Sequence, residues 1–242
     1  MARRRFFVPE IRRGAAELTG ADAEHLVRVL RVEPGQMFEI SDNQHVYLAE
    51  VETARKSVVS FRVTEKLDAP APSVCISLVT ALFKFDRFEW LVEKATELGV
   101  TAIQPFEAMR TEHGLAQAAS KRLGRWQKIA LEASQQSRRA HLPIFEAWVR
   151  FAKAIEQEAD LRLLLDENPD APSILHVMPQ QRSPEDRVAL LLGPEGGWTV
   201  EERSQAVTAG WLPCSLGKTV LRTETAGIAA LAVIQTAWAI SS

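Results

Sequence analysis

A glycine-rich turn directly follows an apolar run in the last quarter of the chain. Leu190–Leu192 leads into Gly193-Pro194-Glu195-Gly196-Gly197, and a helical pattern begins shortly afterwards. Glycines at the carboxyl end of a parallel strand let a backbone approach a ligand closely, and open α/β sheets bind ligands at that end. The glycine spacing does not match the dinucleotide-binding fingerprint. The turn predicts either a small-molecule site or a tight structural turn, and the residues alone leave both open.

A second glycine-bearing loop extends from Ser215 to Ala226, just before an apolar C-terminal segment. Gly217-Lys218-Thr219 looks like the end of a phosphate-binding loop, but Leu212 stands where that motif requires a glycine. The remaining polar segment is Arg222–Thr225. Thr223 or Thr225 in it could cap the following helix, and Glu224 suits the positive end of the helix dipole. Capping alone would account for these residue types.

A third segment predicts an amphipathic helix with a polar face. Its polar side chains recur at three- and four-residue steps, and they are Arg125, Lys128, Glu132, Gln136 and Arg139. Arginine, lysine and glutamine on one helix face can hold phosphates and base edges. The alternative is i,i+4 pairing on a solvated helix.

Basic residues are concentrated in two parts of a chain whose formal net charge is −2. The first 13 residues hold five arginines against Glu10, and residues 108–139 hold seven Lys or Arg against two acids. Local basic surfaces matter more for phosphate binding than the total charge does. Solvated faces are the alternative for each cluster.

Composition excludes several classes of protein. The chain has 242 residues, of which 46% are hydrophobic and 25% charged, as in ordinary globular domains. The apolar stretch Thr225–Ile240 is shorter than the roughly 20 residues that a bilayer crossing needs, and the N-terminus lacks the apolar core of a secretory signal. Two cysteines and five histidines show no metal-ligand spacing. We expect a cytoplasmic protein with reduced thiols, no membrane and no metal.

A proline-rich segment, Leu67–Ser73, predicts a linker between two domains. The residues before it show short alternating strands and one helix, Ala21–Arg31, and predict a small, mostly antiparallel β-barrel. After it, apolar runs alternate with helical patterns, which predicts a parallel sheet covered by helices on both faces. The last helix is apolar nearly all round and is expected in the core or in a subunit interface.

Taken in order along the chain, these motifs resemble the 16S rRNA (uracil-N3-)methyltransferases of the SPOUT class, the trefoil-knot methyltransferases. The matching segments are Arg4–Phe7, His25–Gly35, Lys84–Trp90, Lys94–Gly99, Arg125–Arg139, Gly193–Gly197, Leu216-Gly217 and Leu221–Ala226. Each segment alone is weak evidence for this family, but the full set in this order is specific to it.

The resemblance implies a fold and a reaction. The fold is a PUA-like, OB-like RNA-binding β-barrel over residues 1–68, followed by an α/β SPOUT methyltransferase domain with a parallel sheet over residues 73–242. The knot is implied by the family only, because no periodicity would have suggested it. The reaction is methylation of N3 of one uridine in the decoding region of 16S rRNA, on the 30S subunit, by a homodimer that uses S-adenosylmethionine.

Site residues follow from the same resemblance. The two loops would hold the donor through Leu192, Gly193, Pro194, Glu195, Gly196, Gly197, Leu216, Gly217, Leu221, Thr223, Glu224, Thr225 and Ala226. RNA contacts are expected from Arg3, Arg4, Arg5, Arg12, Arg13, Arg31, Lys84, Arg110, Arg125, Lys128, Gln136 and Arg139. For catalysis, Arg222 or Arg139 could stabilise a developing uridylate and Glu224 or Glu132 could accept the N3 proton.

Two other functions remain open at this point. The same fold could carry a ribose 2′-O-methyltransferase that acts on tRNA or 23S rRNA. The chain could instead be a ribosome-assembly factor that binds rRNA and has lost donor binding. The three glycines at 193, 196 and 197 and the intact Arg222–Thr225 segment argue against that loss.

Overall fold

The computed structural model of the protein describes residues 4–69, 71–168 and 170–240. The described residues form two compact units. Those of Met1–Pro70 with Leu131–Leu142 make the first, and those of Ala71–Ala130 with Pro143–Ser242 make the second. No helix among them is long and apolar enough to cross a membrane. Arg3, which we predicted to contact RNA, lies outside the described residues.

The first unit is built on one curled sheet of five strands. The strands are β1 (Arg5–Phe7), β2 (Ala15–Thr19), β3 (Met37–Ser41), β4 (Val46–Arg55) and β5 (Val58–Leu67), and helix α1 covers Gly20–Arg28. The order is β1-β3-β4-β5-β2, in which only β1 and β3 are parallel. Because β1 and β2 end the order without pairing, the sheet is half of a barrel. The predicted small β-domain is thereby confirmed.

The core of this sheet follows from side-chain alternation. In β2 the buried positions are Ala16 and Leu18, with exposed residues between them, and they join fully buried Ile40 and Phe61 in one cluster. Helix α1 ends earlier than predicted. The helix ends at Arg28 with Val29 as its C-cap, and Arg31 takes a φ of 51°, which a helix does not allow.

The segment Leu131–Leu142 is held in the first unit by a buried ion pair. Glu39 accepts hydrogen bonds from Arg5 Nε at 3.1 Å and Nη2 at 2.8 Å, and it also pairs with Arg138. Arg5 Nη1 donates to the carbonyl of Arg138 at 2.5 Å. Arg5 is only 8% exposed, so its guanidinium is not at the surface. This placement corrects the expectation that Arg5 contacts phosphate.

The second unit is a seven-stranded sheet with six helices. Its strands are β6 (Cys75–Ala81), β7 (Ala102–Glu107), β8 (Ile144–Phe145), β9 (Val149–Arg150), β10 (Leu161–Leu165), β11 (Arg187–Leu192) and β12 (Leu212–Cys214). Its helices are α2 (Phe85–Glu97), α3 (Leu115–Gln136), α4 (Phe151–Ala154), α5 (Ile174–Val177), α6 (Val200–Thr208) and α7 (Thr223–Ala239). The end of α3, from Leu131, groups with the first unit.

Every strand pair in this sheet is parallel, as predicted. The order is β12-β10-β11-β6-β7-β8, with β9 also paired to β7. Alternate residues of β6 enter opposite cores: Ile76 and Leu78 join one cluster, while Val79 and Ala81 join the other. The sheet is therefore buried on both faces, as the continuous apolar runs indicated.

Helix α7 packs against the core with one close approach. A Cβ on Gly227 would lie 2.8 Å from Leu192 Cδ2 and 3.1 Å from Leu91 Cδ1. Only glycine lets the helix backbone come this near to the end of β11. The approach places the start of α7 beside the carboxyl end of β11, where the glycine-rich turn begins.

Helix α6 begins with a capping box. Thr199 Oγ1 accepts from the Glu202 N–H at 3.1 Å, and Glu202 Oε2 accepts from the Thr199 N–H at 3.1 Å. The other carboxylate oxygen of Glu202 accepts from the Met109 N–H at 2.8 Å. Glu202 is 2% exposed, so it ties the start of α6 to the loop after β7.

We expect Glu202→Ala to lower the free energy of unfolding by about 2 to 3 kcal/mol, because it leaves the Thr199 and Met109 N–H groups without their acceptor. Thr199→Ala removes one cap acceptor and should cost about 1 kcal/mol. Urea denaturation of each variant measures the two changes in the free energy of unfolding. Glu201→Ala, an exposed acid in the same helical turn, is the control. Equal stability of Glu202→Ala and Glu201→Ala would contradict this interpretation.

Candidate functional site

A cavity of about 260 Å³ lies where β10, β11 and β12 reach their carboxyl ends. The predicted donor-binding residues that line it are Leu192, Gly193, Pro194, Glu195, Gly196, Gly197, Leu216, Gly217, Leu221, Thr223 and Ala226. It is also lined by residues that sequence reasoning did not select, namely Leu165, Asp166, Glu167, Trp198, Thr219 and Val220. The predicted Glu224 and Thr225 do not line it. The two glycine-bearing loops therefore meet at one site.

The first loop leaves no room for side chains at two of its glycines. A Cβ on Gly193 would lie 2.8 Å from Trp198 Cε2, and a Cβ on Gly197 would lie 2.7 Å from Glu167 Oε1. Gly197 also has a φ of 72°, and its N–H donates to the Pro194 carbonyl at 2.9 Å. These contacts make the loop a tight turn, and its residues Gly193–Gly197 line the cavity.

Trp198 holds this loop to the neighbouring strand. Its indole Nε1–H donates to the Leu165 carbonyl, at the end of β10, at 2.9 Å. The ring is 3% exposed and stacks on Phe106 with an interplanar angle of 8°. The loop is thus attached to the core through a buried aromatic side chain.

The second loop is open and partly apolar. Gly217 has a φ of 123°, which a residue with a side chain rarely adopts, and nothing lies within 4 Å of the position of a Cβ on it. Val220 is 78% exposed and Leu221 38%. An apolar rim of this kind beside a polar loop suits the flat face of an aromatic ring.

Two acids directly after β10 form another wall of the cavity. Asp166 accepts from Arg203 Nε at 2.6 Å and Nη2 at 2.9 Å, and these bonds raise the pKa of Arg203. Glu167 Oε1 accepts from the Trp198 N–H at 3.3 Å. The sequence signal for these acids was their position immediately after an apolar strand, at the edge where parallel strands bind ligands.

Cys214, at the end of β12, carries no reactive thiolate. Burial, followed by the charge of Asp166, raises its pKa to about 12. This shift favours the neutral thiol at physiological pH, and we assign Cys214 no part in the reaction.

The polar segment before α7 does not cap the helix with its threonines. The N-cap is Arg222, whose side chain makes no capping hydrogen bond, and Thr223 is already the first helical residue. The capping alternative for Thr223 and Thr225 is therefore wrong. Glu224 is 4% exposed, and its Oε2 has no hydrogen-bond partner in the part of the chain that the structure describes.

The other two residues considered for catalysis belong to the first unit. Arg139 and Glu132 lie in Leu131–Leu142, whereas Arg222 and Glu224 belong to the second unit. Arg139 Nε donates to the His141 carbonyl at 3.1 Å. Burial lowers the pKa of Arg139 to about 10, so its guanidinium remains protonated at neutral pH.

Most of the residues predicted to contact RNA are exposed. Those exposed in the first unit are Arg4, Arg12, Arg13, Arg31 and Gln136, and those in the second are Lys84, Arg110, Arg125 and Lys128. Arg12 pairs with Glu10 at 2.9 Å and Arg125 with Glu89 at 2.7 Å. Arg110 Nη1 donates to the Gly196 carbonyl at 2.7 Å, so this side chain contacts the glycine-rich loop.

Comparison with known proteins agrees with this architecture. Residues 70–235 match the RNA methyltransferase domain family, and residues 18–63 match the RNA methyltransferase PUA domain family. Ribosomal RNA small subunit methyltransferase E of Synechocystis is 36% identical, over 97% of this chain and 77% of that protein. The Bacillus subtilis protein of the same name is 31% identical, over 90% and 88%.

Solved structures of two methyltransferases are also similar to this chain over nearly its whole length. Ribosomal RNA small subunit methyltransferase E from Neisseria gonorrhoeae, bound to S-adenosyl methionine, is 32% identical with a TM-score of 0.86 over 98% of each chain. A methyltransferase from Legionella pneumophila, in complex with the same cofactor, is 30% identical with a TM-score of 0.88 over 98% of each chain. The chain therefore belongs to the RNA methyltransferase family and, within it, to the ribosomal RNA small subunit methyltransferases E.

Proposed function

We propose that the protein transfers a methyl group from S-adenosylmethionine to N3 of one uridine in the decoding region of 16S rRNA. The observation that carries this proposal is the cavity at the ends of β10, β11 and β12, formed by two glycine-bearing loops in a chain similar to a donor-bound methyltransferase. The substrate we propose is the 30S subunit, modified in the cytoplasm.

The residues of the cavity suit this donor. A Cβ on Gly193 or Gly197 would collide with Trp198 or Glu167, so this part of the cavity lining has no side chains. We propose that backbone N–H and C=O groups of the lining read an adenine edge. Leu192 and Leu216 supply apolar contact. Asp166 and Glu167 share one cation, Arg203, so this wall keeps a net negative charge for a cationic ligand. S-Adenosylmethionine, when bound there, supplies a methyl group already activated on a positively charged sulfur. The protein must then mainly align the base and remove its proton.

Arg222 and Glu224 are our choice for the base chemistry. They flank Thr223, which lines the cavity. Glu224 presents a buried oxygen with no partner among the described residues, and such a carboxylate can accept the N3 proton of uridine. Arg222 is exposed and can stabilise the negative charge that develops on the uracil oxygens. Arg139 and Glu132 remain the alternative pair.

The division of roles we propose follows the two domains. Residues 1–68 bind RNA, with exposed Arg12, Arg13 and Arg31 available for phosphates. Residues 73–242 bind the donor and carry out the transfer. The protein acts as a homodimer, for which the long apolar helix α7 is the element we favour.

The product identifies the reaction. We expect 30S subunits lacking the modification to acquire labelled 3-methyluridine when incubated with this protein and labelled S-adenosylmethionine. Nucleoside mass spectrometry of the recovered rRNA measures it. A 2′-O-methylated nucleoside would instead establish the ribose methyltransferase alternative, and absence of donor binding by titration would favour the assembly factor.

Glu224→Gln should lower kcat by about 100-fold or more, because general base catalysis contributes roughly that factor, while the Kd for S-adenosylmethionine stays within about twofold. Arg222→Ala should behave in the same way if it stabilises the uridylate. Single-turnover methylation of unmodified 30S subunits and donor titration separate the two quantities. Glu201→Gln, an exposed acid of α6, is the control. Full turnover in Glu224→Gln would exclude its proposed role.

Replacing both Arg12 and Arg13 with alanine should weaken rRNA binding in a salt-dependent way. Each phosphate contact contributes roughly 0.7 to 0.9 to the slope of log K against log salt, so the slope should fall by about 1.5. Filter binding across a salt series measures it. Arg62→Ala is the matched control, since Arg62 is held between two carboxylates, Glu50 and Glu52, and is less exposed than Arg12, which pairs with Glu10 alone. An unchanged slope in the double variant would show that these arginines are only solvated.

A further inference from the structure

We infer that Arg110 and Arg87 are positioning residues that hold the glycine-rich loop in its donor-binding shape. This inference rests on the proposed function for the identity of the donor. It also changes the role expected of Arg110, which the sequence suggested as an RNA contact. We call the two side chains with their loop partners Glu195 and Gly196 the arginine clasp.

Arg110 contacts the loop with both its head and its stem. Nη1 donates to the Gly196 carbonyl at 2.7 Å. A Cβ placed on Gly196 would lie 3.2 Å from Arg110 Cβ and 3.4 Å from its Cδ. The aliphatic stem therefore lies directly on the loop backbone, and a side chain at position 196 would have to displace it by a few tenths of an ångström.

The backbone that carries Arg110 is itself fixed. The Met109 N–H donates to buried Glu202 Oε1 at 2.8 Å. Ala108 and Thr111 close a turn around it, because the Ala108 N–H donates to Thr111 Oγ1 at 2.9 Å and the Thr111 N–H donates to the Ala108 carbonyl at 3.0 Å. Arg110 thus extends from an anchored turn, so its reach toward the loop costs little additional order.

Arg87 approaches the adjacent loop residue from a different element. It lies in the first turn of α2, and its guanidinium pairs with the carboxylate of Glu195. Both side chains are about one-third exposed, at 33% and 30%. Solvent weakens such a pair, so we assign Arg87 the smaller share. Together, Arg87 and Arg110 restrain the consecutive residues Glu195 and Gly196, which both line the cavity.

The rest of the loop has anchors of its own. Trp198 is bound to Leu165 through its indole and to Glu167 through its backbone N–H. Loss of the clasp should therefore release Glu195 and Gly196 without unfolding the loop. If fewer molecules hold the binding conformation, the apparent donor Kd rises in proportion, whereas the chemical step in the loaded enzyme is unaffected.

Exposure alone does not separate a loop role from a phosphate-binding role, because Arg110 is exposed and Arg87 is about one-third exposed. Their partners do separate the two roles, since Arg87 would first have to leave the Glu195 carboxylate to bind a phosphate. The donors of Arg110 are directed in part to a loop carbonyl. The contacts therefore favour the loop over RNA as the target of both side chains.

The experiment is a titration of the full-length protein with S-adenosylmethionine in the absence of RNA. We expect Arg110→Ala to raise the Kd about tenfold and Arg87→Ala about threefold. At saturating donor, kcat should stay within about threefold, and rRNA affinity and its salt slope should not change. Arg187→Ala is the matched control, because it removes an ion pair with Asp160 at the opposite end of β11.

Three further variants distinguish positioning from a general structural role. Arg110→Lys keeps a donor for the Gly196 carbonyl and should recover part of the lost affinity. Arg87→Glu alone should raise the Kd, and combination with Glu195→Arg should restore it in part, because the swap rebuilds the pair. Failure of both rescues would overturn the inference.

The outcomes also separate this inference from the proposed function. Failure of the wild-type protein to bind S-adenosylmethionine would overturn the proposed function and this inference with it. Wild-type binding with an unchanged Kd in both alanine variants would overturn the inference alone. A lower salt slope of rRNA binding at an unchanged donor Kd would return Arg110 to its expected role as an RNA contact and would assign that role to Arg87 as well.

Discussion

The candidate site depends on one constraint, which is that the backbone after β11 must be held against the core by Trp198. The Trp198 ring occupies the space where a side chain on Gly193 would stand, and its indole N–H is bound to the carbonyl of Leu165. A buried aromatic ring contributes more to stability than any exposed contact in the loop. Packing therefore requires glycine at position 193, and at position 197 the φ of 72° and the nearby Glu167 carboxylate require it as well.

The contacts around the loop differ in strength, and the stronger, buried contacts determine the fold. Glu202 is buried and binds two backbone N–H groups, so its removal leaves unsatisfied donors. The pair between Arg87 and Glu195 is partly solvated and is worth at most about 1 kcal/mol. The buried contacts hold the elements together, and the solvated ones adjust the conformation of residues that face the ligand. Stability and donor affinity can thus be altered separately.

Much of this architecture could be predicted from the sequence, because it depends on local patterns. Apolar runs with helices between them predicted the parallel sheet, and glycines at a strand end predicted the loops that line the cavity. The pairing of charges could not be predicted in this way. Arg5 and Glu39 are 34 positions apart, and Arg110 meets Gly196 across 86. Which basic residues remain at the surface depends on contacts between residues far apart in the sequence. Hydrophobic periodicity does not reveal such contacts.

Helix capping does not explain why Glu224 is buried at the start of α7. From the sequence alone, capping could account for the residue types of the segment before this helix. The helix instead begins at Thr223 without a side-chain cap, and Glu224 is buried with one oxygen lacking a partner among the described residues. The helix dipole offsets only part of the cost of burying a carboxylate in this position. A bound molecule that donates a hydrogen bond would remove the rest. The N3–H group of uridine is such a donor, and this is the argument for our proposal that Glu224 accepts its proton.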